Sequence, residues 1–238
     1  MKTLKLTAAC VLALSAASAA NAALVGVDFG ASGDPQPIGT PTNWTQIGAF
    51  GGNLASNLPD ANGNPTGIDL TTNVSGGYVP RSINAGTLPI YPPDGLAGLN
   101  DFNWHANTAA WSDLVPGTDY KIWVFSVYDV FFGAAPFQAT IIGTGAPTVQ
   151  NFNMNVAGNL VINGTVGNSG NTLDSYATVV TASPTGTIDI VFASTGGLSG
   201  DTPLAGLAIE SLAVVPEPAS LSLLVVGTAA LLMRRRRA

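Results

Sequence analysis

The chain has 238 residues, of which 46% are hydrophobic and 9% charged, with Gly 28, Pro 16, one Cys and one His. That apolar fraction with so little charge excludes a disordered chain, and the shortage of Glu, Lys and Arg excludes a helical bundle. A single Cys and a single His exclude a disulfide scaffold and any site assembled from several Cys or His ligands.

Residues 1–22 read as a secretory signal peptide. Lys2 and Lys5 form a positive n-region, Leu6 to Ala20 is a stretch of small and apolar residues, and Ala20-Asn21-Ala22 is a small-x-small cleavage site. Cleavage after Ala22 leaves Ala23 as the first mature residue. A permanent N-terminal anchor is the alternative, disfavoured by the short apolar region. Cys10, the only cysteine, lies inside this segment, without the Leu that usually precedes a lipid-acceptor Cys.

Residues 23–214 have the size of one all-β domain. Leu24 to Phe29 opens it as a strand. The stretch Gly30 to Leu99 is rich in Gly, Pro and Asn, and reads as long loops or a set of edge strands. Asp119 to Tyr128 is the strongest strand, apolar on both faces from Ile122 to Phe125, and so central in its sheet. Phe137 to Ile142, Val149 to Val156, Leu160 to Val166 and Tyr176 to Thr181 follow. Thr187 to Ala193 alternates Ile188, Ile190 and Phe192 inward against Asp189 outward, and Leu204 to Val214 closes the domain with Leu207 and Ile209 inward. Short strands separated by Gly, Asn, Pro and Ser clusters predict a single jelly-roll-like β-sandwich, with helix confined to the two termini.

The body from Ala23 to Val215 holds two basic residues, Arg81 and Lys121, against thirteen acidic ones, a net charge of −11. Such a surface excludes binding of nucleic acid or anionic lipid through a basic patch. No Cys remains in it, so an exported body must stand on its core alone.

Chemistry-bearing residues are few. His105 is the sole candidate base for a nucleophilic triad; it sits in the polar stretch Asn100 to Asn107, read as a loop, and no G-x-S-x-G accompanies it. No carboxylate pair stands out for glycoside hydrolysis; Asp94, Asp113 and Asp201 lie in turn-like Gly/Pro contexts. Asp60-Ala61-Asn62-Gly63-Asn64 spaces oxygen ligands like the start of a calcium loop, but Pro65 stands where the turn Gly belongs and no closing Glu follows. It reads as an Asn-Gly turn joining two strands. No catalytic residue, metal site or cofactor is expected, and the net charge leaves a structural Ca²⁺ open elsewhere. Among the tryptophans, Trp123 belongs to the core, as do Trp44 and Trp111 near strand starts. Trp104, flanked by Asp101, Asn103, His105 and Asn107, sets an aromatic plate among hydrogen-bonding groups, the composition of a glycan contact.

The last segment, 215–238, has three parts in order. Pro216-Glu217-Pro218 precedes Ala219 to Met233, fifteen uncharged residues, and Arg234, Arg235, Arg236 and Arg237 end the run before Ala238. Fifteen helical residues span roughly 22 Å, short of a ~30 Å hydrocarbon core, a gap that thinning and snorkelling reduce. Four Arg hold that end on the cytoplasmic side, and the two Pro keep the preceding segment extended. A buried C-terminal helix is the alternative, disfavoured by the four terminal Arg.

The sequence from Val215 to Arg237, V-P-E-P-A-S-L-S-L-L followed by a short apolar helix and an Arg cluster, resembles the PEP-CTERM sorting signal. The resemblance implies a substrate of exosortase, a membrane transpeptidase-like enzyme of Gram-negative bacteria, in systems that accompany exopolysaccharide production. It also implies an inner-membrane-anchored precursor facing the periplasm, cut near Pro216-Glu217-Pro218 and passed to the cell surface or matrix. In the body, V-D-F-G, N-W-T-Q-I and N-L-P-D-A-N-G-N-P-T-G-I-D-L look like the opening of PEP-CTERM ectodomains. Later, L-V-P-G-T-D-Y-K-I-W-V-F-S, T-G-T-I-D-I-V-F and A-G-L-A-I-E-S-L look like a galactose-binding-like or malectin-like jelly roll. The expected function is a non-enzymatic, exported surface or matrix protein associated with exopolysaccharide and biofilm. A lectin-like carbohydrate-binding module is the alternative, and a polysaccharide-active enzyme comes third.

Overall fold

The strongest strand expected from the sequence, Asp119 to Tyr128, forms the spine of the first sheet. The computed structural model describes residues 24–29, 44–47, 51–74, 78–79, 102–103, 105–127, 136–153, 160–167, 171–196 and 202–212. The terminal helices expected within 1–22 and 215–238 lie outside them. In chain order the strands are β1 (Val25–Asp28), β2 (Thr45–Gln46), β3 (Gly51–Ala55), β4 (Asp69–Val74), β5 (Tyr78–Val79), β6 (Phe102–Asn103), β7 (Ala106–Ser112), β8 (Asp119–Val127), β9 (Phe137–Ile142), β10 (Thr148–Phe152), β11 (Leu160–Ile162), β12 (Thr165–Val166), β13 (Thr178–Thr181), β14 (Ile188–Ser194) and β15 (Gly206–Ser211). One 3₁₀ turn, Leu173–Tyr176, is the only helical element among the described residues.

Two sheets make a sandwich. The first runs β12-β11-β8-β15-β1-β2, with β13 also pairing β8; the second runs β10-β9-β14-β7-β4-β3. β5 and β6 form a separate small ribbon. The two main sheets are antiparallel throughout except where β1 runs parallel to β2. The expected all-β sandwich is thus present, and β8 is internal, with β15 on one side and β11 and β13 on the other.

Burial explains why β8 is apolar on both faces. Ile122 and Val124 point into the main core, which joins side chains of both sheets, among them Val25, Leu70, Trp111, Phe137, Ile190 and Leu207. Trp123 and Phe125 point the other way, into a second cluster on the outer face of the first sheet, covered by Trp44, Leu173 and Tyr176. Each fully buried side chain of this size contributes about 1.5–3 kcal/mol. Asp189 and Val191 stay outside while Ile188, Ile190 and Phe192 go in, as the alternation of β14 requires. Trp44, Trp111 and Trp123 are all core residues.

Gly26 lets the outer cluster close. A Cβ at Gly26 would stand 2.2 Å from the Trp44 ring, so the indole lies directly on the β1 backbone. From there it meets Phe125 with centroids 5.6 Å apart.

Several expectations are corrected. Leu160 to Val166 is a hairpin and not one strand: Asn163 and Gly164 have φ of 46° and 79°, the left-handed pair that a two-residue turn demands. Tyr176 belongs to the 3₁₀ turn, so β13 starts at Thr178. β10 and β15 are shorter than expected, ending at Phe152 and Ser211. The Gly/Pro/Asn-rich stretch contains β4, an internal strand between β3 and β7. β7 was not anticipated as a strand; its inward set Ala106, Ala109 and Trp111 breaks strict alternation, and its ladder to β4 shifts register at Asn73/Val74. A bulge erases the period-2 signal by which a strand is read.

Asn163 joins the two strands that share one edge of β8. β13 pairs Asp119 to Ile122, and β11 pairs Phe125 to Val127. Between them the Val124 N–H donates to Asn163 Oδ1 at 2.8 Å, and the Asn163 N–H donates to the Val124 carbonyl at 3.0 Å. Asn163 Nδ2 donates to the carbonyls of Ile122 and Tyr176, both at 2.8 Å. One buried amide side chain therefore does the work of a missing length of strand.

Candidate functional site

The sorting and processing residues named from the sequence, Ala20, Ala22, Ala23, Pro216, Glu217, Pro218 and Arg234 to Arg237, lie outside the described residues. Among the described residues no helix is long and apolar enough to cross a membrane. What the structure fixes is where β15 ends, at Ser211, with the Leu212 N–H donating to the Asp119 carbonyl at 2.8 Å.

Of the glycan candidates, Asp101 and Trp104 also lie outside the described residues, as does the side chain of Asn103, whose backbone is in β6. His105 is half-buried and its backbone forms a parallel bridge to Thr202. Thr202 is itself buried, and its hydroxyl donates to the Ala106 carbonyl at 2.6 Å. The stretch read as a polar loop is therefore extended backbone on both sides of residue 104, with β6 before and β7 after. Among the described residues no three His, Cys, Asp or Glu side chains gather in a metal-binding group.

The Asp60 segment is a closed turn. Pro59 and Pro65 form an antiparallel bridge, and Gly63 takes φ of 85°. Asp60 Oδ1 accepts from the Asn62 and Asn64 N–H groups, each at 2.8 Å, and Oδ2 accepts from Asn64 Nδ2 at 3.1 Å. The hydrogen bond from the Asn64 backbone does most to hold the Asp60 carboxyl below the ordinary carboxylate value. The carboxylate serves the turn's own amides, which is the expected turn chemistry. The Ala61 N–H donates to the Leu24 carbonyl at 2.9 Å and so ties this turn to the start of β1.

On the outer face of the first sheet lies an open cavity of about 230 Å³ lined by Leu24, Trp123, Thr172, Leu173, Asp174 and Glu210. Alternation along β8 puts Lys121 on the same face as Trp123, and Glu210 of β15 is its cross-strand partner. The Lys121 ammonium lies 3.0 Å from Asp174 and 3.0 Å from Glu210. The Asp174 hydrogen bond raises the Lys121 pKa above its ordinary value, desolvation opposes it, and Glu210 adds to the rise. Trp123 Nε1 donates to the Leu173 carbonyl at 2.9 Å, which fixes the 3₁₀ turn that carries Asp174. Sequence reading passed over this cluster. Its signal was a lone Lys inside the most apolar strand of a body with only two basic residues.

No curated protein matches the chain in sequence. Among solved structures, Bacteroides uniformis β-glucuronidase 2, covalently bound to cyclophellitol-6-carboxylate aziridine, is similar at a TM-score of 0.47 and 14% identity, over 80% of this chain and 18% of that one. The CBM22-1–GH10 modules of Clostridium thermocellum endo-1,4-β-D-xylanase 10B, complexed with xylohexaose, align at a TM-score of 0.27 and 13% identity, over 69% of this chain and 25% of that one. The chain thus spans about 18% of the glucuronidase length, and at these scores the likeness bears on neither activity nor ligand. The tail gives a direct match: residues 214–237 fit the PEP-CTERM protein-sorting motif, the C-terminal membrane-anchoring signal of exported proteins.

Proposed function

We propose that this chain is an exported, non-enzymatic protein of the cell surface or extracellular matrix, released from an inner-membrane precursor by exosortase and associated with exopolysaccharide. The observation that carries the reading is the sorting-motif match at 214–237, which follows β15 after only two residues. Physical chemistry supports the order of events. The apolar segment parks the precursor in the membrane and the Arg cluster stops transfer. Glu217 stays at the interface, because a carboxylate costs several kcal/mol inside hydrocarbon, and this sets the depth at which Pro216-Glu217-Pro218 is presented. A body of net charge −11 without Cys stays soluble once released.

Intact-mass analysis of the released protein tests the reading. The expected product lacks Leu221 to Arg237, and replacing Pro216-Glu217-Pro218 by three Ala leaves an uncut, membrane-bound form. A released protein that still carries Leu221 to Arg237 refutes it.

A further inference from the structure

A chemically labile dipeptide forms the turn that braces β8. The sequence contains two Asn-Gly pairs, Asn62-Gly63 and Asn163-Gly164. Asn before Gly is prone to lose its side-chain amide, because the following residue has no side chain to shield its backbone nitrogen. The fold dictates the second pair. Position 163 takes φ of 46° and needs an acceptor for the Val124 N–H beside a donor for the carbonyls of Ile122 and Tyr176. Asn offers both groups and tolerates that conformation. Position 164 takes φ of 79°, and a Cβ there would run into the Asn151 carbonyl oxygen, so Gly must follow.

We propose that Asn163 is a deamidation site that folding closes: an unfolded chain loses the Asn163 amide and with it the ability to fold, and the native hairpin stops the reaction. The Gly164 nitrogen gives its proton to hydroxide and attacks Asn163 Cγ; the Cγ–Nδ2 bond breaks and ammonia leaves. Water then opens the five-membered imide at either carbonyl, giving Asp or an isoaspartate whose backbone runs through the side chain. Asp aims a carboxylate at the two carbonyls that Nδ2 serves, and isoaspartate adds a backbone atom to a two-residue turn. In the folded protein Cγ is not free to swing toward Gly164. Asn163 is 7% exposed, its Oδ1 is held by Val124, and Nδ2 also donates to Thr178 Oγ1 at 3.2 Å. The reaction therefore waits for β11 to leave β8. Asn62 is the contrast: it is exposed, and the bonds to Asp60 that shape its turn come from Asn62, Gly63 and Asn64, so a local opening frees it.

Residues 23–212, one compact unit with its own core, are incubated in mildly alkaline buffer with and without urea, and Asp and isoaspartate at 62 and 163 are followed by peptide mass mapping. In urea both sites convert at similar rates. Native buffer slows Asn163 by about a hundredfold or more and Asn62 by much less, because each rate tracks the population of the open form. Equal slowing of the two sites, or an Asn163 that converts as fast in native buffer as in urea, overturns the proposal. On dilution from urea, the fraction that regains the parental unfolding transition falls in step with conversion at 163 and not with conversion at 62. Asn163→Gly removes the site, and its refolding yield holds through the same incubation. A chain converted at 163 that refolds to the parental Tm, or an Asn163→Gly chain whose yield falls as the parent's does, also overturns it.

Discussion

Replacing Asn163 by Ala tests how β8 is held. The change orphans the buried Val124 N–H, whose partner is Asn163 Oδ1 at 2.8 Å, and removes the two Nδ2 bonds to the carbonyls of Ile122 and Tyr176. An orphaned buried amide costs about 1–3 kcal/mol and each lost bond about 1 kcal/mol, so the loss is about 3–5 kcal/mol. The φ of 46° adds a penalty for Ala that Gly avoids, so Asn163→Gly is expected about 1 kcal/mol less damaging. Asn163→Asp keeps the acceptor for Val124 but aims a carboxylate at two carbonyls, and should be as harmful as Ala at neutral pH. For a domain near 190 residues, each kcal/mol moves Tm by roughly 2–4 °C, so Asn163→Ala should lower it by about 10 °C. Urea denaturation and thermal unfolding of residues 23–212, which form one compact unit with its own core, read this directly. A loss below about 1 kcal/mol, or an Asn163→Asp variant as stable as the parent, would refute the idea that this amide replaces strand pairing.

Gly26→Val should displace the Trp44 indole, cost about 1–3 kcal/mol by overpacking, and red-shift tryptophan emission; unchanged emission and Tm would show that the ring has room to move. The Asp60 carboxyl should titrate below the ordinary aspartate range in a ¹³C NMR series, and the stability that its hydrogen bonds give the turn is present above that range and lost as pH falls through the lowered value. An Asp60 carboxyl that titrates at or above the ordinary aspartate range contradicts the hydrogen bonds described. Under the carbohydrate-binding alternative, Trp104→Ala abolishes capture on a glycan array with little change in Tm; a large fall in Tm assigns Trp104 to the core instead, where truncation costs roughly 3–5 kcal/mol.

The amino-acid order alone determined the all-β class, the centrality of β8 and the sorting tail. Two-sided burial needs an unbroken apolar run, and Lys121-Ile122-Trp123-Val124-Phe125 shows one after a single charge. A sorting signal is linear, read in order as Pro-Glu-Pro, apolar stretch and Arg cluster, so no folding is needed to see it. Alternation in β14 likewise named its buried set correctly, because a strand with one wet face must repeat every second residue. Tertiary structure decided the rest. Leu160 to Val166 is apolar enough for one strand, and only the left-handed Asn163-Gly164 pair, locked by partners on β8 and on the 3₁₀ turn, makes it a hairpin. β7 hid behind a bulge whose register shift exists only against β4. The cluster of Lys121, Asp174 and Glu210 draws on residues 53 and 89 positions apart, and no local pattern links them. Charge pairing across a sheet depends on which strands become neighbours, and that follows from packing the whole core rather than from any stretch of sequence.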